Sequence, residues 1–245
     1  MTTLQGEKIS QNFKQVLENV EKNSHISGRK ASAIKVVVVT KGHSLLAVRN
    51  AIIAGIQTFG ENYLQEAAEK INSLSGIENI EWHMIGHIQS RKAKLVSQKF
   101  SWIQTLDSIK LANRLNRFAA EIDRKLPVLL ECNVSGEQAK FGWPAWDESR
   151  WNELCSNLAR FVELPNLDIR GLMTMPPLYS DPEQARPFFI KLRKLRGFLI
   201  ESFPGILWQD LSMGMSADYE VAIQEGATII RVGTAIMGPR TKKNN

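Results

Sequence analysis

Eight short strand-like runs follow one another along the chain, each closed by turn-forming residues and followed by a stretch with helical spacing. This repeat limits the possible folds more than any other feature. The runs are 35-KVVVVTK-41, 57-QTFGE-61, 80-IEWHMIG-86, 101-SWIQTL-106, 127-PVLLECNV-134, 168-DIRGLMTM-175, 209-QDLSMG-214 and 228-TIIRVG-233. Amphipathic segments at roughly 44–54, 61–74, 89–97, 108–124, 144–162, 182–202 and 217–225 predict the intervening helices, with a leading helix from about 4 to 23. Ser108 and Asp181-Pro182 are helix-start signals, and Pro187 shifts the start of the segment it lies in. Strands alternating with helices across short connections imply a parallel sheet with right-handed crossovers. Eight such units close on themselves, and 245 residues match the size of a complete barrel.

The expected fold is therefore α/β, a single (β/α)8 TIM barrel spanning about 34–238, with an extra N-terminal helix and a polar tail at 239–245. An open doubly wound sheet would usually announce a phosphate turn near its first strand, but neither GxGxxG nor GxxxxGK[ST] occurs. No composition shift or Pro/Gly/Ser-rich linker divides the chain, so one domain over 1–245 is expected.

With 43% apolar and 23% charged residues the chain reads as an ordinary globular protein. It lacks a signal peptide or a membrane-length apolar run, which points to the cytoplasm and away from a membrane. Cys132 and Cys155 lie on different elements without CxxC or metal-ligand spacing and read as reduced thiols. The net charge of +6 favours anionic partners. Its bases are spread over helical stretches such as 191-KLRKLR-196 and the tail 240-RTKKNN-245, without interleaved aromatics, so nucleic acid is not expected.

Barrel active sites gather where the strands end. Those ends supply Lys41, Asn62, His87, Asp107, Asn133, Met175, the run 212-SMGMS-216, and Arg231 with Gly233 and Thr234. By period-two alternation Lys41 shares a face with Val37 and Val39 and points to the barrel mouth. Apolar surroundings lower a lysine's pKa and free its amine as a nucleophile toward aldehydes. The runs 212-SMGMS-216 and 233-GT-234 fit a phosphate site of small residues, hydroxyl donors and a helix N-terminus, and equally fit two tight turns with helix caps. Arg231 shares a face with Ile229 and Gly233 and points into the barrel. There a ligand ring nitrogen or a neighbouring carboxylate must accept its hydrogen bonds.

These segments resemble the pyridoxal phosphate homeostasis proteins of the YggS/PROSC type, which are related to the alanine racemase N-terminal barrel. The likeness runs through 37-VVVTK-41, 59-FGENYLQEA-67, 82-WHMIGHIQSRKAK-94, 135-SGEQAKFGW-143, 170-RGLMTMPP-177, 211-LSMGMSADYEVAIQEGAT-228 and 231-RVGTAIMG-238. The resemblance implies a covalent pyridoxal 5′-phosphate (PLP) cofactor, held as a Schiff base on Lys41 with Asn62 beside it. It further implies that Ser212, Gly214, Ser216, Gly233 and Thr234 surround the phosphate and that Arg231 faces the pyridine nitrogen. One departure is visible: the family usually carries Asn before the basic residue after His87, where this chain reads Gln89-Ser90-Arg91-Lys92.

His83 and His87 have HxxxH spacing, but on a strand rather than a helix the two rings do not face together, and no metal site is expected. Lys140, in 140-KFGW-143, reads as either a cofactor-side loop or a surface turn. An arginine at the ring nitrogen weakens PLP as an electron sink, and only residues 239–245 follow Gly238, leaving no room for a second domain to supply an acid/base group. The expected function is thus a monomeric PLP-holding protein of intracellular PLP and amino-acid homeostasis, without catalysis, which passes PLP to accepting apoenzymes. Two other functions are open: an amino-acid racemase working with barrel residues alone, and a sugar-phosphate barrel that uses Lys41 as an aldolase-type lysine.

Overall fold

A computed structural model describes residues 4–240. Its strands are β1 (Lys35–Val39), β2 (Thr58–Glu61), β3 (Glu81–Met84), β4 (Trp102–Leu106), β5 (Leu126–Asn133), the two-residue β6 (Trp143–Pro144), β7 (Leu167–Met173), β8 (Asp210–Ser212) and β9 (Ile229–Val232). The sheet order is β4-β3-β2-β1-β9-β8-β7-β5, with β4 pairing β5, so eight parallel strands close into a barrel, and β6 is a spur on the end of β5. The (β/α)8 expectation and the strand positions hold.

The helices are α1 (Leu4–Ile26), α2 (Leu45–Ile53), α3 (Leu64–Ser73), α4 (Ala93–Lys99), α5 (Ile109–Ala120), α6 (Trp151–Val162), α7 (Arg186–Ser202), α8 (Tyr219–Gln224) and α9 (Thr234–Met237). Ser108 caps α5 by accepting the Leu111 N–H, as its position predicts. Two predicted helices start late. The segment expected at 144–162 begins as α6 only at Trp151, because Trp143 and Pro144 pair with Cys132 and Asn133, and Asp147 then caps a single 3-10 turn. The segment expected at 182–202 opens with a 3-10 turn over Pro182–Ala185, and α7 starts beside Pro187.

The extra helix α1 packs against α2, α8 and α9, across the β1/β9 side of the barrel. Asn12 donates to the Ile236 carbonyl at 3.0 Å and Asn19 to the Tyr219 hydroxyl at 2.8 Å, which ties α1 to the two short helices behind the predicted phosphate loops. The tail expected at 239–245 lies mostly outside the described residues.

One apolar layer fills the space between strands and helices, and Val37, Leu129, Met173 and Ile229 form a smaller cluster inside the barrel. Barrel interiors are ordinarily filled by branched apolar side chains. Here His83, Gln104, Ser212 and Arg231 are buried there as well: Ser212 Oγ on β8 donates to Gln104 Oε1 on β4, and those two strands are not neighbours.

Candidate functional site

A cleft of about 630 Å³ opens at the carboxyl ends of the strands. Lys41, Asn62, Ser216, Arg231, Gly233 and Thr234 all line it. Among the described residues three cations, Lys41, Arg231 and Arg240, border this space and no Asp or Glu does, so its chemistry suits an anionic ligand.

Lys41 lies two residues beyond β1 rather than at its last position. The Thr40 N–H still bonds the Gly60 carbonyl at 3.1 Å, but the Thr40 carbonyl accepts from Lys70 Nζ at 2.7 Å, so the ladder stops there and the chain turns. Both neighbours of Lys41 are fixed by one buried network. Lys70 Nζ also donates to Glu61 Oε1 and Glu66 Oε1, each at 2.7 Å; Thr40 Oγ1 donates to Glu61 Oε1 at 2.6 Å; and the Gly42 N–H donates to Glu66 Oε1 at 2.7 Å. Burial, then the fields of Arg240 and Arg231, hold the Lys41 ammonium below the usual lysine range, partly opposed by Glu61. The amine is positioned and more readily neutral than a surface lysine's.

Asn62 is held from behind by Gly86, where a Cβ would stand 2.2 Å from the Asn62 carbonyl oxygen, so only glycine fits. Asn62 Oδ1 is buried and has no hydrogen-bond partner among the described residues. A buried polar atom without a partner is costly unless a ligand supplies one, and this one belongs to a residue lining the cleft.

Ser216 Oγ accepts from the N–H groups of Gly233 at 3.1 Å and Ala235 at 3.3 Å. The two runs of the predicted phosphate site therefore meet at Ser216.

Ser212 and Gly214 do not line the cleft. Ser212 is fully buried, and its hydroxyl is used twice, accepting from Arg231 Nη1 at 2.5 Å and donating to Gln104. Gly214 (φ +93°) lies against α8, where a Cβ would meet Ala222 at 2.6 Å, and its carbonyl accepts the Arg231 N–H. Both residues act from behind Arg231.

The Arg231 guanidinium also donates through Nη2 to the Thr174 carbonyl at 2.8 Å, and no carboxylate lies within ion-pair distance among the described residues. Burial brings its pKa down to about 10, against the favourable fields of Asp218 and Glu131, so it stays charged at neutral pH. Of the two acceptors the sequence left open, a neighbouring carboxylate is not the one present.

The remaining candidates lie around the rim or inside the barrel. His87 Nδ1 sits 3.0 Å from Asp107 Oδ2, and the ring stacks on Phe141 at 3.7 Å. His83 is buried and engaged by Gln104 and Glu81, so the two histidines have separate partners. No group of three or more His, Cys, Asp or Glu able to hold a metal ion is found among the described residues. Lys140 pairs with Glu137 in the loop after β5. Glu131 has its pKa raised to about 7, chiefly by burial and then by the field of Asp107, against that of Arg231.

Sequence reasoning missed Glu61, Glu66, Lys70, Gln104 and Arg240. Gln104 did carry a signal, a polar amide in the middle of an apolar strand. The Glu66/Lys70 spacing of four residues reads as an ordinary solvated helix pair.

Residues 11–241 match the sequence profile of the alanine racemase N-terminal domain family. The pyridoxal phosphate homeostasis protein of Vibrio alginolyticus is 39% identical over 235 residues, covering 95% of this chain and 97% of that protein. Among solved structures, PipY of Synechococcus elongatus, determined with PLP bound, superposes with a TM-score of 0.76 at 35% identity, covering 84% of this chain and 93% of PipY. An alanine racemase from Clostridium difficile shares the fold, with a TM-score of 0.66 at 14% identity over 92% of this chain and 56% of that enzyme.

Proposed function

The chain belongs to the pyridoxal phosphate homeostasis protein family, and we propose on that premise that it holds PLP in the cleft at the carboxyl ends of its strands. The observation that carries the proposal is Lys41, whose amine is fixed on both sides and lowered in pKa inside a cleft that, among the described residues, is bordered by cations and no acid. That donor set suits PLP: a dianionic phosphate needs positive surroundings, an aldehyde needs a neutral amine, and the unpartnered Asn62 Oδ1 needs a donor.

In this reading Lys41 bonds the cofactor as a Schiff base and Asn62 lies beside it. Ser216, Gly233 and Thr234 hold the phosphate, and Arg231 faces the ring nitrogen, with Ser212 and Gly214 setting the arginine from behind. Bound PLP supplies an electrophilic aldehyde carbon and, where its ring nitrogen is protonated, an electron sink. An arginine, which only donates, favours the unprotonated nitrogen and works against that second property. Together with relatives named as homeostasis proteins, this supports a carrier that takes up and releases PLP without catalysing a reaction.

The proposal extends to a single barrel domain acting as a monomer in the cytoplasm, with PLP-accepting apoenzymes as its partners. No helix among the described residues is long and apolar enough to cross a membrane.

The test is a visible spectrum of the protein incubated with PLP, wild type beside Lys41→Ala. The expected result is a cofactor band in the wild type that is lost in the variant. A band of equal strength in both, or none in the wild type, overturns the proposal.

A further inference from the structure

Arg231 is the upper end of a hydrogen-bond chain that threads the barrel from the cleft to the opposite mouth. Arg231 Nη1 lies 2.5 Å from Ser212 Oγ, which lies 2.6 Å from Gln104 Oε1. Gln104 Nε2 is 2.8 Å from His83 Nδ1, and His83 Nε2 is 3.4 Å from Glu81 Oε2, which Lys35 Nζ meets at 2.7 Å. Ser212, Gln104 and His83 are each fully buried, whereas Lys35 and Glu81, at the amino ends of their strands, are 37% and 41% exposed.

The chemistry of the two ends fixes the direction of every bond. A guanidinium only donates and a carboxylate only accepts. With Arg231 donating to its oxygen, Ser212 donates its own O–H to the Gln104 carbonyl. Gln104 then presents its amide N–H to His83 Nδ1, which must be the bare nitrogen, and the His83 proton sits on Nε2 facing Glu81. The dipoles align head to tail, with a cation at one end and an anion at the other, an arrangement that reinforces each member in a low-dielectric interior.

We infer that Gln104 and His83 are positioning residues for the cofactor site: they connect Arg231 to Glu81 through one directed chain that holds the guanidinium oriented and charged beneath the cleft. The inference rests on the proposal that Arg231 faces bound PLP. The role is not simple space filling, because an apolar side chain of Gln104's shape would fill the same volume while leaving the Ser212 proton and His83 Nδ1 without partners. Other charged groups around the chain are Lys35 and Asp210 near His83, and Lys41, Asp218 and Glu131 near Arg231.

The first arm of the test needs no cofactor. Long-range 1H–15N NMR of PLP-free wild type is expected to show His83 as the neutral tautomer protonated on Nε2 from about pH 6 to 8, consistent with burial lowering its pKa. An Nδ1–H tautomer or an imidazolium over that range overturns the inference. Gln104→Glu keeps the shape but sets a carboxyl group against Nδ1, and is expected to make His83 doubly protonated near pH 7; an unchanged signal counts against the chain.

The second arm uses PLP. Gln104→Met is expected to weaken PLP retention roughly tenfold, about the worth of one hydrogen bond between neutral groups, with the visible band still abolished by Lys41→Ala. Unchanged retention and band position overturn the positioning role. Absence of any band in wild type refutes the PLP reading, and the NMR arm still decides the chain's polarity.

Discussion

Replacing Lys70 by methionine removes the ammonium that ties together Thr40, Glu61 and Glu66 around Lys41, while keeping much of the apolar stem. The side chain is only 5% exposed and its three acceptors all lie at 2.7 Å. Glu61 is then left fully buried with the Thr40 hydroxyl donating to its Oε1, and its Oε2 already lacks a partner among the described residues. Removing one member of a buried ion pair costs about 3–5 kcal/mol. Glu61 can limit that cost by taking up a proton, since burial already raises its pKa. The net loss near pH 8 is therefore placed at about 3 kcal/mol, which for a chain of this length lowers Tm by roughly 6–12 °C.

The pH dependence carries a definite sign. In the variant the folded state binds a proton on Glu61 more tightly than the unfolded state does, so stability is retained below the unfolded carboxyl pKa and falls as pH rises toward the folded value. The deficit against wild type is thus smaller at pH 5 than at pH 8. Denaturant melts of the cofactor-free protein at both pH values read this out, and Lys70→Met combined with Glu61→Gln should recover part of the loss. A deficit under about 1 kcal/mol at pH 8, or one that grows toward acid, would refute the reasoning.

Gly86→Ala forces a methyl group to 2.2 Å from the Asn62 carbonyl oxygen, so it should destabilise by about 3 kcal/mol in chemical denaturation; a neutral effect contradicts the packing. Arg240→Ala removes one of the cations that lower the Lys41 pKa, so the pH midpoint of Lys41 reactivity toward an aldehyde reagent should move up; a downward move means Arg240 does not act on Lys41 through its charge. With PLP bound, amino-acid enantiomers in deuterated water should exchange their α-protons no faster than with free PLP. Exchange well above that level would establish the racemase reading.

Much of this was legible because barrel strands announce themselves locally. The run at 35–41 announced an inner strand, which ends at Val39, two residues before Lys41, and the parity of 228–233 placed Arg231 inside the barrel beside Val37, its register partner. What escaped depends on contacts between residues distant in sequence. Ser212 looked like a phosphate ligand, yet its hydroxyl is committed to Gln104, 108 residues away, through a bond across the barrel interior. Glu66 and Lys70 carry a spacing indistinguishable from that of a surface pair, and they are drawn inward only because Thr40 and Glu61 lie over them. Arg240 read as the first base of a polar tail until the cleft placed it against Gly42. Trp143-Pro144 shows the same limit for secondary structure: nothing local distinguishes the start of a helix from a two-residue strand that pairs with Cys132 and Asn133.

The central claim is that Lys41 carries the cofactor. Reducing the PLP-incubated protein with borohydride, digesting it and locating the added phosphopyridoxyl group by mass spectrometry tests this most directly. The account predicts the label on Lys41, near one per chain; label spread over surface lysines, or concentrated on another residue, would contradict it.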